Sequence, residues 1–134
     1  MPRLLEHIDA IARKQRRDVL YVEFHDTDGC AVDFSALPLR RQITEWLDSQ
    51  GIRWQPCGGV ASEHRLSAYA GQIYIDLPFD PEDPGFRKVQ AYLEHPDGTM
   101  KFHGATFYAL PLQVAMRNAH HDEPGFWERW ADRF

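Results

Sequence analysis

Glu23, His25, Asp76 and His103 are the residues whose types and places give this chain its clearest capacity for chemistry. Each falls on a polar alternate position of a strand-like segment, so all four are expected on one side of a sheet. Imidazole nitrogens and carboxylate oxygens are the ligands of catalytic zinc and of open non-haem iron sites. The same groups exchange protons near neutral pH. The four therefore form the candidate catalytic set, and His25 and His103 are the candidate metal ligands. Two considerations weigh against a centre there. Lys101 lies beside His103 on the same outward side, and a fixed cation repels a metal ion. A half-exposed antiparallel sheet also displays polar residues at alternate positions with no function attached. No cofactor is named by the sequence.

Other motifs fail on spacing. His120-His121-Asp122-Glu123 offers ligand types, but adjacent helical positions diverge and HExxH is absent, so a solvated helix end is expected. Asp26-Thr27-Asp28-Gly29 opens like a calcium loop, yet its glycine comes too early and the closing glutamate is missing. It reads as a turn. There is no glycine-rich phosphate loop, no GxSxG elbow and no CxxC pair. Cys30 and Cys57 are too few for a disulfide framework and are expected as small buried apolar residues.

The elements that must position the four residues follow from hydrophobic period. A first helix is expected over Leu4 to Gln15, with Leu4, Leu5, Ile8, Ile11 and Ala12 as its apolar stripe. Val19 to His25 alternates as a strand, with Leu20, Val22 and Phe24 on one face and Tyr21, Glu23 and His25 on the other. The helix that follows is marked by Pro38 in its first turn, by Leu39, Ile43, Trp46 and Leu47, and by Gly51 at its left-handed end. Strands are expected at Ile52 to Gln55, Leu66 to Tyr69 and Gln72 to Leu77. Asp83 then caps a helix that begins at Pro84 and carries Phe86, Val89, Tyr92 and Leu93. A last strand spans Thr99 to Ala109. A bulge at Gly104 turns Met100 and Phe102 inward before it, and Ala105 and Phe107 inward after it. The tail reads as two short helices broken at Asp122 to Gly125, the second with an aromatic stripe of Phe126, Trp130 and Phe134.

This order predicts a single α+β domain over residues 1-134. Its core, about residues 18-110, is a two-layer, ferredoxin-like βαββαβ sandwich, with one helix added before it and helices after it. One sheet face is then free of the two core helices, and Glu23, His25, Tyr74, Asp76, Lys101 and His103 share it.

Composition limits the function classes. Apolar and charged fractions of 43% and 26% are those of a soluble globular protein, and no apolar run approaches the ~20 residues of a membrane span. Charges near Met1 replace the apolar stretch of an export signal, so a cytoplasmic location is expected. A net charge of -5 disfavours nonspecific nucleic-acid binding. The basic residues Arg13, Lys14, Arg16 and Arg17 end the first helix, where cations meet its negative pole. Three functions remain. The leading one is a non-enzymatic binding, regulatory or interaction domain that uses its open sheet face or edge toward a second copy or another protein. The second is a small enzyme built on the four residues above. The third is an acidic inhibitor or immunity-type protein that presents Asp80 to Asp83, Asp122 and Glu123 to a basic partner.

Overall fold

The computed structural model describes residues 6–25, 37–61 and 71–132. In chain order these form α1 (Ile8–Gln15), β1 (Val19–Phe24), α2 (Pro38–Ser49), β2 (Trp54–Pro56), β3 (Ile73–Ile75), α3 (Pro84–Leu93), β4 (Ala105–Leu110), α4 (Leu112–Ala115), a 3-10 segment (Met116–Asp122) and α5 (Phe126–Ala131). The expected Asp26–Gly29 turn, Cys30, the strand at Leu66 to Tyr69, Leu4, Leu5 and Phe134 lie outside the described residues.

The four strands make one antiparallel sheet in the order β2-β3-β1-β4. Strand β1 alternates as its sequence dictates. Leu20, Val22 and Phe24 join Ile73 and Ile75 from β3 on one face. That face is closed by Ile43 and Leu47 of α2 and by Phe86, Val89 and Leu93 of α3. The ends of these helices follow from local chemistry. The Asp83 carboxylate accepts the Phe86 amide at 2.9 Å as the N-cap of α3. Gly51, at φ +70, takes the left-handed turn that releases the chain from α2.

The second face is free of α2 and α3, as expected, but it is not open. Helix α1 brings Ile8, Ile11 and Ala12 onto it, α4 brings Ala115, and together they bury Val19, Tyr21, Tyr74, Cys57 and Leu110 in a second core. The cause is the apolar stripe of α1, which leaves water only by finding a sheet face to cover. The domain therefore has three layers rather than two. Burial pushes the Cys57 thiol and the Tyr21 phenol each up to about 12, with the Glu23 carboxylate adding to both.

A polar clasp holds this outer layer. The Arg13 guanidinium donates to Asp9 at 2.9 Å, to both oxygens of Asp122 at 2.8 and 2.9 Å, and to the carbonyl of Ala115 at 3.0 Å. Asp9 is fully buried, and it also accepts from the Ala61 amide and the Asn118 side chain, each at 3.0 Å. Arg13 stands in the last turn of α1, as expected, and is in addition a buried structural cation. His121 is likewise buried. Its ring packs 4.8 Å from that of Phe126 and 4.7 Å from that of Trp127, where a solvated helix end was expected.

The last strand begins later than expected, at Ala105. Gly104 has φ +96, and Met100, Phe102, Ala105 and Phe107 all pack against the first core, as a break in alternation at Gly104 requires. No helix among the described residues is long and apolar enough to cross a membrane.

Candidate functional site

Among the described residues, α1 and α4 cover the middle of the second face and leave a strip at each rim of the sheet. The register decides which residues fall in each. Ile75 is opposite Leu20, so Asp76 lies level with Val19, whereas His25 is six residues further along β1. At about 3.3 Å per residue the two are roughly 20 Å apart along the strand. The face therefore carries Asp76 at one corner and Glu23, His25 and His103 at the diagonally opposite one. The four residues expected together form two separate groups.

At the β4 rim, the His25 ring nitrogen Nε2 lies 2.8 Å from the Thr106 hydroxyl. Thr106 is the direct partner of Glu23 across the β1–β4 ladder, and both are half-buried on the second face. His25 and His103, both exposed, line one open depression of about 610 Å³ together with Lys101 and Thr106. Lys101 donates to the carbonyl of Ala91 at 2.7 Å, which directs its ammonium to the end of α3 rather than to the histidines. Among the described residues, no group of three or more histidine, cysteine, aspartate or glutamate side chains is arranged to hold a metal ion. His25 and His103 would accordingly supply two ligands at most. Thr106 is a member of this corner that residue type alone did not single out. Its signal in the sequence was its alternation with Tyr108, on the outward positions of β4.

At the β2 rim, Asp76 is held by two donors. Arg17 Nη2 donates to its Oδ1 at 2.7 Å and the Tyr74 hydroxyl donates to the same oxygen at 3.1 Å. Arg17 also reaches the Tyr74 hydroxyl at 3.1 Å. The hydrogen bond to Tyr74, with smaller help from the Tyr74 and Asp76 charges, outweighs burial and raises the already high Arg17 pKa, which keeps the guanidinium charged. The Tyr74 phenol is raised too, because burial outweighs the stabilising Arg17 cation. Tyr74 and Asp76 line a cleft of about 520 Å³ between α1 and the β2–β3 rim.

The two rims differ in their backbone. The His25 amide donates to the Gly104 carbonyl at 2.7 Å, which fixes the pairing phase of β4: residues 104, 106, 108 and 110 face β1, while Ala105, Phe107 and Ala109 turn their N–H and C=O groups outward. No described residue pairs with that outer row. On β2, the bonds from Asp76 to Arg53 and from Cys57 to Gln72 place Trp54 and Pro56 outward by the same reasoning. Proline has no N–H, so the β2 rim is blunted. The β4 rim is six residues long, carries no charged side chain and leaves Tyr108 38% exposed.

The acidic residues have local employment. Asp83 caps α3, Asp80 accepts the Glu82 amide at 2.9 Å, and Asp122 is tied to Arg13. Compared with protein-family models, curated proteins and solved structures, the chain matches none.

Proposed function

We propose that this is a ferredoxin-like interaction domain, non-enzymatic and cytoplasmic, which associates with a second copy of itself through the outer rim of β4. The strand order β2-β3-β1-β4, with helices between β1 and β2 and between β3 and β4, supports the ferredoxin-like reading. A free buried thiol such as Cys57 is ordinary in the cytoplasm. The observation that carries the association is the unblunted β4 rim. Its outward residues Ala105, Phe107 and Ala109 are symmetric about Phe107, so two antiparallel copies pair Ala105 with Ala109 and Phe107 with itself. A twofold axis through Phe107 satisfies the pairing groups of both strands and joins the two sheets into one. The open sheet surface expected from the sequence is thereby narrowed to the strip beside β4, where Tyr108 meets the partner copy's Thr106. Sedimentation of the full chain over a range of concentrations tests the reading. A monomer–dimer equilibrium that Tyr108→Glu weakens supports it, and a monomer at every concentration refutes it.

A second reading is favoured by the 2.8 Å contact between His25 and Thr106. A hydroxyl within reach of an imidazole, with Glu23 opposite, is an arrangement for proton transfer or hydrolysis. In that reading Glu23, His25 and His103 act at the β4 corner, and Asp76 acts only on a substrate long enough to span the face. Loss of a hydrolytic activity in both His25→Ala and His103→Ala would support it. Its retention in both would remove it.

A further inference from the structure

The cleft at the opposite rim holds an unusual arrangement of charge. Arg53 and Asp76 lie opposite each other one step beyond the Trp54–Ile75 pair of the β2–β3 ladder, joined by the bond from the Asp76 amide to the Arg53 carbonyl at 2.9 Å. Their side chains leave the same sheet face about 5.5 Å apart, a spacing at which opposite charges ordinarily pair. Here they do not. Among the described residues, Asp76 has committed Oδ1 to Arg17 and Tyr74, its Oδ2 has no hydrogen bond, and Arg53 makes no ion pair. Among the described residues, the cleft thus presents a cation without an ion pair beside a half-engaged carboxylate, and the carboxylate is fixed in place by two donors.

We infer that this cleft binds a small zwitterion, with its anionic end at Arg53 and Lys14 and its cationic end at Oδ2 of Asp76. Lys14 stands on the α1 wall, and its one ion-pair neighbour among the described residues is Glu6 at 3.8 Å, the outer limit of such a contact. Mixed charge selects the ligand class. A simple anion would meet the Asp76, Glu6 and Asp48 carboxylates, and a simple cation would meet Arg53 and Lys14, so a molecule carrying both signs gains most. A volume of about 520 Å³ suits a small molecule, and Ile11 and Ile52 offer its body an apolar surface. The site is at the rim away from β4, so it is independent of the proposed association.

Nuclear magnetic resonance of the nitrogen-labelled full chain tests this with three probes. These are L-alanine, propionate, which lacks its amine, and ethylamine, which lacks its carboxylate. The reporters are the amides of Gln55 and Asp76 and the indole N–H of Trp54, which donates at 2.9 Å to the cleft-lining Asp48. L-alanine is expected to shift these signals saturably, at least tenfold more tightly than either half. Arg53→Gln and Asp76→Asn should each weaken it at least tenfold in a spectrum that remains dispersed. Arg53 is exposed, so its variant keeps the test open if Asp76→Asn fails to fold. Absence of a saturable shift, equal binding of propionate or ethylamine, or unaltered binding by the Arg53 variant would overturn the inference.

Discussion

Pro56 and Ala109 occupy corresponding places on opposite rims of one sheet: each turns its backbone nitrogen away from the neighbouring strand, and only Ala109 carries a hydrogen there. One rim is blunted by proline, and the other has no pairing partner among the described residues. Edge strands with free pairing groups are ordinarily shielded by proline, charge or brevity. Strand β2 has proline and brevity, whereas β4 has none of the three.

The clasp on α1 predicts an order of stabilities that hydrogen-bond number alone would reverse. Arg13 makes two bonds to Asp122 and one to Asp9, yet the Asp9 side chain is fully buried and that of Asp122 is 55% exposed. Arg13→Met strands a buried carboxylate and should cost about 3 kcal/mol. Asp122→Ala removes a solvent-screened partner and should cost about 1 kcal/mol. Urea denaturation of the two variants checks the order.

Acid should loosen the same clasp. The Arg13 hydrogen bond lowers the Asp122 pKa against a smaller effect of burial. For Asp9 burial is the largest influence and raises the pKa, but the bonds from Ala61, Arg13 and Asn118 together outweigh it and lower it. Carboxylates with depressed folded values stabilise the fold fully above their ordinary value of 3.8, and that contribution is lost as pH falls through the lowered values. The thermal midpoint should therefore hold between about pH 7 and pH 5 and drop below about pH 4, with a smaller drop in Asp122→Ala.

Gly51 isolates a backbone effect. Its φ is +70, and a Cβ placed on it would meet nothing within 4 Å. Gly51→Ala should consequently destabilise by about 1 kcal/mol through strain alone, and Gly51→Asn by less, since asparagine tolerates the left-handed region. Equal losses in the two variants would point to a cause other than backbone conformation.

The helix boundaries were legible because their signals are local. Pro38, Gly51, Asp83 and Pro84 act within one turn of where they stand, and each has the expected role. The face assignments of Leu20, Val22 and Phe24 were legible for the same reason, since alternation is a property of a single strand. The level of a residue along a strand is a property of pairing. Nothing in the segments around Asp76 and His25 stated that Asp76 falls level with Val19, six residues short of His25, and the expected four-residue site divided for that reason. Tyr21 and Tyr74 looked like outward residues of a free face because tyrosine suits both an exposed strand and a covered one. Their burial depends on where the stripe of α1 docks. The Asp9–Arg13 pair has helical i,i+4 spacing that could have been read, but its link to Asp122, 109 residues from Arg13, could not.

The most direct measurement is sedimentation equilibrium of the full chain beside Ala109→Pro. This substitution removes one outward donor from an exposed position and leaves the bonds to β1 intact, because Ala109 faces away from that strand. The natural chain is predicted to pass from monomer to dimer as concentration rises, while Ala109→Pro, with an unchanged circular dichroism spectrum, remains monomeric where the natural chain is mostly dimer. A natural chain that stays monomeric throughout, or a variant that dimerises equally well, would contradict the account.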